Sequence, residues 1–151
     1  MSIEISQKDA QEQLSKMLVG CSINKVSYYI TGWDLRLIGE SGPEYIIYAS
    51  DIETPNINQW WDSINEPPIS LTETNEPEDT ITAISIFTVL NRWPICSIEI
   101  DEKSNLCIGF ENGCSINLLA VVEQVDWTWQ VGTDRKNHII TCDSGVLYES
   151  V

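Results

Sequence analysis

One histidine, five cysteines and a tryptophan pair set among acids are the side chains of this 151-residue chain whose types could do chemistry. His138 stands alone, and no CxxC or CxxH pair supplies the usual zinc ligands, so no metal site is expected. A cysteine–histidine couple needs the thiol within hydrogen-bond reach of the imidazole. Cys142 lies four residues from His138 on a predicted strand and shares its face by parity, but two pleats separate the side chains by about 13 Å. Asp51, Glu53 and Asp62 offer carboxylates. Nothing draws two of them into the apolar pocket that would raise one pKa for general-acid work. No glycine-rich phosphate loop occurs, of either the P-loop or the dinucleotide-binding kind. The expectation is no catalytic residue, no cofactor and no enzyme activity.

What remains is acidic and aromatic. Trp60 and Trp61 are followed by Asp62, Glu66, Glu73, Glu76, Glu78 and Asp79. Aromatic side chains serve as interface anchors, because they bring large apolar contact at small entropic cost. Carboxylates around such an anchor would steer a basic partner and fix its register. These eight residues are the candidate partner-binding set; the other reading packs both tryptophans at the base of their loop. The whole chain carries 23 acidic and 8 basic residues, a formal net charge of −15. No Lys or Arg occurs between Arg36 and Arg92, a stretch holding ten acids. Such a field speeds encounter with basic proteins and repels nucleic acid, so direct nucleic-acid binding is not expected. Acidity also maintains solubility by itself.

The elements that must position these residues are legible in the periodicity. Ser6 and Asp9 resemble a capping box, Ala10, Leu14, Met17 and Leu18 recur at helical spacing, and Gly20 closes the run. From Ser22 the period becomes two. Strands are predicted around Ile23–Ile30, Trp33–Ile38 and Tyr45–Ala49, joined by tight turns at Thr31–Gly32 and Gly39–Pro43. Asp51 to Thr80, with four prolines, reads as a long solvent-facing connection of the sort that is often functional. Acids before Ile81 and the spacing up to Leu90 predict a second, buried helix ending before Pro94. Further strands follow at Ile95–Ile100, Leu106–Phe110, Cys114–Leu118, Trp127–Val131, His138–Cys142 and Val146–Tyr148. Asn112–Gly113 is a hairpin signal, and Trp127 and Trp129 are expected on one strand face. The fold class is thus α+β, a mostly antiparallel sheet of about eight short strands with two helices, in a single domain spanning residues 1–151. Five widely spaced cysteines argue against a disulfide framework, and most are expected as buried thiols. Neither a signal peptide nor an apolar run of about 18 residues is present, so a cytoplasmic protein that does not span a membrane is expected.

Two stretches carry a family likeness: VGCSINKVSYYITGWDLRL, and SIEIDEKSNLCIGFENGCSINL followed by WTWQV and IITCDSGVLYE. Their ordering resembles small β-rich immunity proteins of bacterial polymorphic toxin and contact-dependent growth inhibition systems. The resemblance covers about two thirds of the chain and rests on hairpin and packing signatures, so no functional residue carries over. It implies a cytoplasmic binding protein that neutralises a cognate toxin C-terminal domain, a basic protein, by occluding its active site. The alternative is an acidic adaptor or chaperone-like partner of a secreted effector. Oligomeric state is left open.

Overall fold

A computed structural model describes residues 1–29, 32–55, 86, 90–133 and 138–150. Among these, eleven strands and one helix are delimited: β1 (Ser2–Glu4), α1 (Gln7–Leu18), β2 (Ser22–Tyr29), β3 (Gly32–Ile38), β4 (Tyr45–Ala49), β5 (Ile52–Glu53), β6 (Ile95–Ile100), β7 (Leu106–Phe110), β8 (Ser115–Leu118), β9 (Trp127–Thr133), β10 (Ile139–Asp143) and β11 (Val146–Ser150).

Helix α1 forms where the sequence places it. The Ser6 hydroxyl accepts the Asp9 backbone N–H at 3.1 Å and donates to the Asp9 carboxylate at 2.7 Å, satisfying one of the helix's orphan donors. Ala10, Leu14 and Leu18 are fully buried, and each leucine contributes roughly 1.5–3 kcal/mol by leaving water. Gly20, at φ +90°, ends the run and passes its N–H to the Ile95 carbonyl at 2.8 Å.

The strands make two antiparallel sheets. The larger has the order β1-β11-β10-β9-β4-β3-β2, and the smaller β5-β8-β7-β6. Two meanders, β2–β4 and β9–β11, are joined side by side where β4 pairs with β9. Alternation decides the faces. Trp33, Leu35 and Leu37 of β3 point into the core with Ile47 and Ala49 of β4, Trp129 and Val131 of β9, and Ile140 and Cys142 of β10. The inward side chains of the smaller sheet, among them Ile98, Leu106, Ile108, Phe110 and Ile116, and those of α1 complete one contiguous cluster.

Side-chain hydrogen bonds tie the layers together. Ser104, buried at φ +68° in the β6–β7 hairpin, donates to the Gly145 carbonyl at 2.6 Å and accepts from Gln7 Nε2 at 3.2 Å. Its carbonyl accepts the Trp129 indole N–H at 3.0 Å. The exposed backbone of β6 is answered by α1, whose Gln11 Oε1 accepts the Ile100 N–H at 2.8 Å.

The α+β class holds in its coarse form, with three differences. Eleven strands replace about eight, because β1 and β5 are three and two residues long and show no alternation; pairing with β11 and β8 creates them. The strands divide into two sheets, a partition that strand-by-strand periodicity does not encode. One helix is delimited among the described residues, not two; of the second expected helix only Ile86 and Leu90 are described, both helical and buried. All five cysteines are free thiols, but only Cys21 and Cys142 are buried, while Cys107 and Cys114 are half-buried and Cys96 is exposed. No helix among the described residues is long and apolar enough to cross a membrane.

Candidate functional site

The predicted partner-binding residues Trp60, Trp61, Asp62, Glu66, Glu73, Glu76, Glu78 and Asp79 all lie outside the described residues. The structure instead draws attention to the face of the larger sheet turned away from the core. Register places one continuous row across all seven strands of that face: Glu4, Tyr148, Thr141, Gln130, Tyr48, Asp34 and Ser27. Beside it, Gly132 of β9 pairs with Ile46 of β4, which pairs with Arg36 of β3, which pairs with Lys25 of β2.

A depression of about 470 Å3 opens on this face, lined by Arg36, Ile46, Tyr48, Trp127, Gln130, Gly132, Thr133 and Ile139. Gly132 makes the hollow: a Cβ there would come within 2.9 Å of Ile139 Cγ1. Ile46 is 8 % exposed yet does not belong to the core cluster, so it is an apolar floor on the outward side. Trp127 is 51 % exposed and Tyr48 38 %. An exposed Trp and Tyr over an apolar floor is the composition of an interface centre.

Trp127 corrects the expectation that it shares a face with Trp129. Between β9 and β10 the register shifts: Cys142 pairs with Trp129 but Asp143 with Trp127. Thr128 is the extra residue of this β-bulge and is fully buried, its hydroxyl donating to the Ala120 carbonyl at 2.7 Å. The bulge turns Trp129 inward and Trp127 outward. WTW alternation alone gives no sign of an inserted residue.

Electrostatics of the face centre on Arg36. Its Nη1 lies 3.0 Å from Glu44 Oε1 and its Nε 3.6 Å from Asp34 Oδ1. The Glu44 hydrogen bond, then the Asp34 charge, push the guanidinium's already high pKa further up, so it stays charged. Asp34 Oδ1 is buried and accepts no hydrogen bond, leaving Arg36 as its compensation. Two carboxylates therefore flank Arg36 beside the depression, Lys25 lies next to it in register, and Asp143, paired with Trp127, places another carboxylate on the face.

The other residues with chemical potential do not converge. His138, at φ +55°, places Nδ1 3.5 Å from Glu149 Oε1, and Glu149 in turn accepts from Gln13 Nε2 at 3.2 Å. Cys142 is fully buried, its thiol 3.8 Å from the Ala120 carbonyl, and burial pushes its pKa up. On the outward face of the smaller sheet, Glu53, Asn117, Cys107 and Glu99 form a cross-strand row, with Asp101 at its end. Burial, then Glu99 and Asp101, raise the Cys107 thiol, which keeps it protonated and poorly nucleophilic. Among the described residues no group of His, Cys, Asp and Glu has the arrangement to hold a metal ion. Asp51 and Glu53 are described, but the third carboxylate considered with them, Asp62, is not.

Compared with known proteins, the chain matches no family model, no curated protein and no solved structure.

Proposed function

We propose that the chain is a binding protein that neutralises a basic partner, a toxin domain of the nuclease type, by covering its active site, as immunity proteins of bacterial toxin systems do. In this reading it acts in the cytoplasm as one domain and needs neither catalysis nor a cofactor. The observation that carries it is the outward face of the larger sheet, where Trp127 and Tyr48 stand exposed around an apolar floor on a chain of net charge −15. Aromatic contact at the centre supplies affinity, while surrounding carboxylates supply steering and occupy the partner's phosphate-binding groove. The acid-rich stretch from Asp62 to Asp79, with Trp60 and Trp61, adds to the negative charge that would draw in a basic partner.

The test is growth. The product of the gene adjacent to this one is expressed alone and together with the chain. The reading expects the neighbour to arrest growth by itself, co-expression to restore it, and the two proteins to purify as a stoichiometric complex. A neighbour that is harmless, or that stays toxic in the presence of abundant folded chain, contradicts it.

A further inference from the structure

We infer that the depression on the larger sheet is a cation subsite, taking an arginine or lysine side chain of the basic partner against the rings of Trp127 and Tyr48. The inference rests on the binding reading above and locates its contact. The hollow is walled by two exposed aromatic rings, and a cation over an aromatic face is attracted by the ring quadrupole. The local charge favours the same ligand. Arg36, among the described residues the one cationic side chain lining the hollow, is held by Glu44 at 3.0 Å and Asp34 at 3.6 Å, and Lys25, its cross-strand neighbour, brings these four groups to neutrality. Asp143, opposite Trp127 in register, tips the balance of these groups to one negative charge. An anionic ligand would meet these carboxylates; a planar guanidinium would stack on Trp127 and donate to the Gln130 side chain. The apolar floor of Ile46 and Gly132 suits the methylene stem of such a side chain.

The experiment titrates isotope-labelled chain with octa-arginine, octa-lysine and an uncharged octa-citrulline control, following the Trp127 indole N–H and the Tyr48 and Gln130 amides by NMR. Trp127→Ala, Tyr48→Ala and Glu44→Gln are titrated alongside; both rings are exposed, so their loss leaves the core intact. The expected result is saturable shifts at Trp127, Tyr48 and Gln130 with both cationic peptides, none with citrulline, and a three- to tenfold loss of affinity in each variant. Shifts confined to other acidic surfaces, equal binding of citrulline, or unchanged affinity in Trp127→Ala overturns the subsite. The two proposals fail separately. Growth rescue that survives Trp127→Ala with undiminished complex affinity sinks the subsite alone. Cationic peptides docked at Trp127 with no rescue by the wild-type chain sink the neutralising role alone.

Discussion

At the scale of single residues, Asp34 and Arg36 show how this sheet face is held. Asp34 Oδ1 is buried without a hydrogen bond, and among the described residues the guanidinium of Arg36, 3.6 Å away, is what offsets its charge. Removing Arg36 should therefore cost more than a surface ion pair is worth: Arg36→Ala is expected to destabilise by roughly 1–3 kcal/mol, the penalty of an uncompensated buried group. Asp34→Asn in the same chain should return part of that loss, and denaturant titration of the four-member cycle measures it. Asp101 makes a second case. Burial works to raise its carboxyl, but the Asn105 side-chain amide, then the backbone N–H groups of Asn105 and Lys103, outweigh it, and the pKa falls below the ordinary aspartate value of 3.8. A carboxyl lowered on folding stabilises above its unfolded pKa and loses that contribution as pH falls through the folded value. Asp101→Ala should cost about 1 kcal/mol at neutral pH through the lost hairpin hydrogen bonds. The gap between variant and wild type should close in acid, below the ordinary aspartate range; a gap independent of pH would mean the carboxylate charge contributes nothing. Thiol labelling gives a third check. Cys96 is exposed and should alkylate first in the native state, with Cys142 reacting only on unfolding.

At the scale of elements, what the sequence discloses and what it hides divide along local versus tertiary physics. Helix α1 is legible because cap, apolar stripe and glycine stop all lie within the segment Ser6 to Gly20. The β10–β11 turn is legible too: Ser144 and Gly145 take φ +50° and +86°, as a two-residue hairpin needs. The Asn112–Gly113 hairpin forms with only Gly113 at positive φ, while the Asn112 side chain accepts the Cys114 N–H at 3.1 Å. Strands β1 and β5, the pairing of β4 with β9 and the bulge at Thr128 are not legible, because each depends on a partner distant in the chain. The bulge matters most, since it turns Trp127 outward onto the face that carries the hollow. The acidic set from Trp60 to Asp79 was legible as composition and charge, whereas the sheet-face hollow was not, because its lining comes from β3, β4, β9 and β10. Element edges supply a further prediction. Gln11 of α1 accepts the Ile100 N–H at the β6 edge, so Gln11→Ala should leave that donor to water and speed its amide exchange, at a stability cost of about 1 kcal/mol. Unchanged protection at Ile100 would show that the helix does not guard this edge.

At the scale of the whole molecule, one apolar cluster shared by both sheets and α1 must hold together a chain whose charge works against compaction. Added monovalent salt should therefore stabilise the fold by screening like charges. The same charge fixes the character of binding: a partner met through a field of −15 should be found faster than geometry alone allows, and faster at low salt. The most direct test of the account is the association rate with the proposed basic partner, measured by stopped flow across ionic strength, for the wild-type chain and for a variant in which Asp62, Glu66, Glu73, Glu76, Glu78 and Asp79 are changed to their amides. The account predicts a wild-type rate that falls steeply with salt, and a variant that associates at least several-fold more slowly at low salt with a flatter dependence. Equal rates and equal salt slopes for the two proteins would contradict it.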